Sequence, residues 1–220
     1  MSFQDNMLFE QKIYSENLLS DDHFKLLKKC LEYKENEKIM YNTDLSGNIE
    51  LEYKILKIDQ VLVNQFEKWA NEFFKENLSK NNQVKPPTIE KLTLSNLWIN
   101  KQKKYEFNPL HRHGGLVSFV CWIQIPYNLE DELNFNNCKN SITKCNSLFE
   151  FSFTNYLGNI INLKLNIDKS WEGKCIFFDS KLNHQVYPFY TSDDYRISVS
   201  GNFIMEQEND KNINRIFSYK

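Results

Sequence analysis

The chain has 220 residues, of which 41% are hydrophobic, 15% aromatic and 25% charged, a composition that excludes a disordered protein and can bury a full core in one domain. Its 27 basic and 29 acidic residues are interspersed and leave a formal charge of -2, so no electrostatic footprint for nucleic acid or an anionic membrane stands out. No apolar run approaches the roughly 20 residues of a membrane span, and the opening MSFQDNMLFEQK lacks the basic-then-apolar order of a signal peptide, so a cytoplasmic location is expected.

In chain order, Ser20 followed by Asp21 and Asp22 reads as a helix N-cap with acidic residues in the first turn. Phe24, Leu27 and Leu31 then recur at helical spacing, and the helix is expected to end near Tyr33. A polar stretch follows, in which Gly47-Asn48 suggests a turn between short extended pieces. A second helix over about 59–77 places Leu62, Phe66, Trp69 and Phe73 on one stripe and Glu67, Lys68 and Glu72 on other faces.

After Pro86-Pro87 the pattern changes to short β-rich runs at 92–100, 116–126, 148–154, 160–166, 174–178, 184–189 and 196–204. Gly158-Asn159 reads as a hairpin turn between two of them. The order is helices first, then strands only. It predicts a mainly β protein with N-terminal helices, in which a sandwich or barrel is buttressed by the two helices. No repeat or linker divides the chain, so one domain over 1–220 is expected, with a helical support region at 1–90 and a β core at 91–205.

The cysteines at 30, 121, 138, 145 and 175 are odd in number and irregular in spacing, which fits reduced thiols better than a disulfide framework or a zinc site. Cys121 and Cys175 fall in apolar runs where a small buried side chain is expected.

Three of the four histidines bracket the β region, in NPLHRHGG (108–115) and SKLNHQVYP (180–188). In an extended segment His111 and His113 point the same way and Arg112 the other, so two imidazoles can chelate. His184, from a distant strand, would complete a facial set and leave metal positions open for substrate and oxygen. Gly114-Gly115 lets the chain turn after the pair. Arg196 lies twelve residues after His184, and alternation sends Arg196, Ser198 and Ser200 to one face with Ile197 and Val199 on the other. An arginine beside a hydroxyl can grip a carboxylate.

These residues carry a resemblance. The runs LWIN, FNPLHRHGGLVSFVCWIQIP and EGKCIFFDSKLNHQVYPFYTSDDYRISVSGNF, together spanning about residues 92–204, resemble the prolyl-hydroxylase-like 2-oxoglutarate and iron(II) oxygenases, in particular the branch found in tailed bacteriophages. The resemblance implies a double-stranded β-helix (jelly roll), iron(II) held by His111, His113 and His184, and 2-oxoglutarate held at its far carboxylate by Arg196 and Ser198. It also puts the strand carrying Trp98 and Asn100 beside the cosubstrate pocket, where Asn100 or Tyr105 could hydrogen-bond a carboxylate.

The implied activity couples decarboxylation of 2-oxoglutarate, with O2, to hydroxylation of a substrate, for which the prolyl hydroxylases suggest a peptide or protein side chain. His113 departs from the family's usual H-x-D/E, so the site either keeps three imidazoles and a full +2 charge or has water or an anion in that position. Asp179 and Glu106, the nearest carboxylates in sequence, lack the motif's spacing. Two other functions fit the residues: a three-histidine cupin-like dioxygenase or isomerase that uses no 2-oxoglutarate, and a non-catalytic jelly-roll binding or structural module.

Overall fold

The computed structural model describes residues 12–32, 39–79 and 91–205. Tyr33 and the Pro86-Pro87 break lie outside them. The elements are β1 (Tyr14–Leu18), α1 (Asp21–Cys30), β2 (Ile39–Met40), β3 (Leu51–Lys54), α2 (Gln60–Ser79), β4 (Leu92–Gln102), β5 (Asn108–His111), β6 (Val117–Gln124), α3 (Leu129–Leu133), β7 (Phe149–Thr154), β8 (Ile160–Leu165), β9 (Lys174–Asp179), β10 (Asn183–Val186) and β11 (Arg196–Met205). They form a seven-stranded sheet in the order β1-β9-β6-β11-β4-β3-β2 and a four-stranded sheet in the order β5-β10-β7-β8. Every pairing between these strands is antiparallel. This is the jelly roll of the double-stranded β-helix, mainly β with few helices.

The predicted order of helices followed only by strands needs correction. β1 precedes α1, β2 and β3 lie between the two long helices, and α3 follows β6. The N-terminal third thus contributes strands to the larger sheet as well as helices behind it. β1 reads YSENL and alternates weakly, because as an edge strand it is held by its backbone against β9 more than by an apolar face.

Why these residues form these elements is visible at the helix ends and in the strand patterns. Ser20 Oγ accepts the His23 N–H at 3.3 Å, and Asp59 Oδ1 accepts the Val61 N–H at 2.9 Å, so each long helix has an oxygen on its otherwise unpaired first-turn amides. Leu62, Phe66 and Phe73 are buried on α2 as the spacing requires, joined by Val63 and Ala70, while Trp69 is partly buried. Glu67 is not on an outer face as expected. It is buried, accepts the Leu94 N–H at 3.2 Å and pairs with Lys91 at 2.9 Å, and Asn71 meets both the N–H and the C=O of Leu92. Two polar side chains of α2 thus satisfy the start of β4 where no strand partner does.

β6 explains why VSFVCWIQ is apolar without alternation: both faces are covered. Phe119, Cys121 and Ile123 face the helices, where Phe119 packs on Phe66 at 4.7 Å, Phe177 at 5.4 Å and Phe203 at 5.7 Å between ring centroids. Val120 and Trp122 face the space between the sheets, with Phe149, Phe151 and Phe178. This second core stops short at one end, where β5 and β10 of the small sheet oppose β4 and β11 of the large one and a cavity of about 320 Å³ opens.

Candidate metal centre

His111 is the last residue of β5 and stands directly opposite His184 of β10. His113 lies beyond the strand, where its N–H donates to Ser180 O at 2.8 Å. The turn that follows requires glycine at one position. Gly115 has φ +81°, and a Cβ there would lie 2.6 Å from Phe203 O. Gly114, by contrast, has open space where a side chain would go.

The three imidazoles converge. Nε2 of His113 is 3.1 Å from Nε2 of His111 and 3.1 Å from Nε2 of His184. Each ring's other nitrogen has an oxygen partner: His111 Nδ1–H donates to Pro109 O (2.7 Å), His184 Nδ1–H to Leu182 O (2.9 Å) and His113 Nδ1–H to Asn202 Oδ1 (3.1 Å). The rings are also clamped by aromatics, with Trp98 stacked on His113 at 5.5 Å and Phe149 on His184 at 5.6 Å. Such outer contacts fix the tautomer and the ring orientation before any ion arrives.

The donor set fits iron(II). With the proton on Nδ1, each Nε2 presents a lone pair, and three lone pairs at this separation repel unless a cation lies among them. Protonation is not the alternative near neutral pH. Burial, with His111 adding, lowers His113 to about 4; burial, with His111 and His113 adding, holds His184 well below 6.5; and burial lowers His111. Two ligand nitrogens about 2.1 Å from one ion and at right angles would be about 3.0 Å apart, close to the spacing found. Among the described residues, no carboxylate joins the group. Asp179 accepts the Lys181 N–H, and Glu106 accepts the N–H groups of Glu50 and Lys103.

The residues expected at the cosubstrate divide. Arg196, Ser198 and Asn100 line the same cavity as the histidines, and Tyr105 does not. Tyr105 is exposed, with φ +73°, and its ring packs edge-on against Tyr190. Asn100 Nδ2 donates to Ser198 Oγ at 3.3 Å. Arg196 is 3% exposed, packs against the adjoining rings of Tyr127 and Phe189, and has all five N–H groups engaged. Nε and Nη2 donate to Gln102 Oε1, Nη1 to Tyr127 Oη and Ser147 O, and Nη2 also to Tyr187 O, at 2.7–3.0 Å. Gln102 is the one side-chain amide in that set and stands where a carboxylate oxygen would meet the guanidinium fork.

Sequence reasoning missed Asn202, Ser118 and Gln102. Asn202 Oδ1 also accepts the Ser118 hydroxyl at 2.7 Å, and Ser118 is 2.8 Å from Ser180 Oγ, so a small network holds His113 from behind. The signal for Asn202 was present: it continues the alternation of Arg196, Ser198 and Ser200 by one step.

A family model described as "Putative 2OG-Fe(II) oxygenase" matches residues 96–202, a stretch that contains all three histidines and Arg196. Among solved structures, a prolyl-4-hydroxylase of Pseudomonas putida superposes with a TM-score of 0.50 at 14% identity, covering 89% of this chain and 94% of the other. A 2OG-Fe(II) oxygenase family oxidoreductase of Burkholderia pseudomallei gives 0.51 at 10% identity, covering 87% and 84%. At these identities the structural likeness speaks for the fold alone. No curated protein sequence matches the chain. The matched stretch, just under half of the chain, carries the histidine triad, so the site is similar to that of the 2OG-Fe(II) oxygenase class. The cofactors of that class are Fe(II) and 2-oxoglutarate.

Proposed function

We propose that the protein is a hydroxylase that couples turnover of 2-oxoglutarate and O2 to oxidation of a peptide or protein side chain, with iron(II) on His111, His113 and His184. The observation that carries this is the convergence of three Nε2 lone pairs whose Nδ1 protons are all committed elsewhere. When bound, the iron and cosubstrate together supply the oxidising chemistry. The chain's own work is positioning. Asn202, Pro109 and Leu182 keep the ligand rings oriented, Trp98 and Phe149 restrict water, and Arg196, Ser198 and Asn100 receive the far carboxylate of 2-oxoglutarate.

For that grip the carboxylate takes the place of Gln102 on the Arg196 fork, since the other acceptors there are backbone carbonyls and a tyrosine. His113 in place of a carboxylate ligand leaves the centre with the full charge of the ion, which favours anionic partners in the remaining positions. Five free cysteines agree with a reducing compartment such as the cytoplasm, and affiliation with phage enzymes rests on the sequence resemblance.

The full occupation of Arg196 favours a second reading, a three-histidine oxygenase that binds its substrate directly. Succinate release separates them. With Fe(II), O2 and 2-oxoglutarate, the proposal expects succinate, which the direct-binding enzyme would not form. Gln102→Ala should leave 2-oxoglutarate affinity unchanged or higher, and Arg196→Ala should lower it by about tenfold or more while sparing metal affinity. No succinate from the wild-type protein, or intact 2-oxoglutarate binding in Arg196→Ala, would overturn the proposal.

A further inference from the structure

The cavity has a polar corner that neither the histidines nor Arg196 uses. Glu52 on β3 is 1% exposed, yet its Oε2 has no hydrogen-bond partner. Asn108 Oδ1, at the start of β5, is likewise buried and unpartnered. The two side chains meet at Gly47, where a Cβ would lie 2.8 Å from Glu52 Oε1 and 2.5 Å from Asn108 Oδ1, so a side chain there would crowd both oxygens. Asn100, directly opposite Glu52 in the strand register, gives its amide N–H groups to Ser198 and Ser200 and offers none to the carboxylate. Glu52, Asn108 and Gly47 all line the cavity that holds the histidines.

A buried acceptor without a partner is costly, of the order of 1–3 kcal/mol and more when charged, and three belong to residues that line this cavity: Glu52 Oε2, Asn108 Oδ1 and Asn100 Oδ1. We propose that this corner is the substrate-recognition subsite and takes a cationic nitrogen group, an ammonium or guanidinium on an aliphatic stem. As a substrate subsite it rests on the oxygenase reading above; as a cation site it stands by itself.

Three observations select a cation. The corner presents acceptors, and ammonium and guanidinium groups are donors that bring no acceptor of their own, unlike a hydroxyl or an amide. Two aromatic rings line the same cavity, Trp98 and Tyr41, with centroids 6.2 Å apart, and ring faces attract cations. Tyr41 already draws one cation, Lys54 Nζ, which lies over its ring 5.5 Å from the centroid and makes no ion pair with Glu52 among the described residues. Burial, with Glu106 adding like charge, pushes the Glu52 carboxyl up to about 7, a penalty that an opposite charge removes. β5 rises roughly 10 Å from Asn108 to His111. A stem anchored at the corner therefore runs towards the histidines and brings carbon rather than nitrogen to them.

The test is direct binding to the full chain without metal or cosubstrate, by calorimetry. The probes are Nα-acetyl-lysine methylamide, Nα-acetyl-arginine methylamide, the uncharged Nα-acetyl-norleucine methylamide and n-butylammonium chloride. The lysine or the arginine derivative should bind saturably and about tenfold or more tightly than the norleucine analogue, and Glu52→Gln should remove that preference. A lysine derivative tighter than n-butylammonium assigns the corner to peptide-borne side chains, and equal binding assigns it to free amines; both support the cation site. Gly47→Ala, which crowds the corner without touching its charge, should weaken every cation and serves if Glu52→Gln does not fold. Norleucine binding as tightly as lysine, no saturable cation binding, or an unchanged preference in both variants would overturn the proposal. A parallel 2-oxoglutarate titration with Mn(II) keeps the two readings apart: cation binding without 2-oxoglutarate binding leaves this site standing and removes the oxygenase.

Discussion

At the scale of residues, the candidate site is a set of committed protons. Asn202 accepts from His113 and from Ser118, so removing it frees the imidazole to turn and leaves the Ser118 hydroxyl without its acceptor. Asn202→Ala should therefore weaken metal binding by about 10- to 100-fold, the range typical of lost outer contacts, with little change in fold as read by circular dichroism. Metal affinity equal to wild type would show that Trp98 stacking alone orients the ring. The ligands themselves were legible because H-x-H needs only a two-residue alternation and a distant partner. Asn202 was less visible: an asparagine in a strand carries no chemistry of its own until the structure brings it behind a ligand. Arg196 was legible as an arginine placed to grip a carboxylate but not as a saturated one, since its acceptors Gln102, Tyr127, Ser147 and Tyr187 come from four other stretches of chain.

At the scale of elements, apolar pattern and caps located the two long helices and the seven C-terminal β runs to within a few residues. Two of the elements that escaped, β3 and β5, share one feature, polar residues on inward positions. β3 reads LEYK and turns Glu52 inward, and β5 reads NPLH and ends on a ligand, so neither follows the apolar-in rule that marks a strand; such departures tend to fall at functional positions. α2 shows the opposite case, an amphipathic stripe that reports its packing faithfully through Phe66, which is fully buried against Phe119. Phe66→Ala should cost about 3–5 kcal/mol of stability, measured by chemical denaturation. A cost below about 1 kcal/mol would mean that α2 is not part of the cooperative core.

At the scale of the molecule, one jelly roll serves two cores. The helical side is packed by aromatics, and the inter-sheet side is left open at one end where polar groups collect. That concentration has a consequence for stability against pH. The three histidines have folded-state values below 6.5, with His113 at about 4, so between those limits the unfolded chain binds more protons and stability rises with pH. Glu52, raised from 4.5 to about 7, works in the opposite direction over part of that window, but it is one group against three. The melting temperature of the metal-free protein should fall on acidification from pH 6.5 towards 4.5, and His113→Phe should flatten that fall. An equal slope in the variant would refute the assignment of the slope to the site.

The account turns on whether the three imidazoles hold one catalytic metal that recruits 2-oxoglutarate. The most direct measurement is an anaerobic titration of Fe(II), followed by 2-oxoglutarate, into the wild-type chain and His184→Ala. The predicted result is one Fe(II) per wild-type chain, 2-oxoglutarate binding only after the metal, and loss of both in His184→Ala. Fe(II) bound equally well without His184, or 2-oxoglutarate bound equally well without Fe(II), would contradict it.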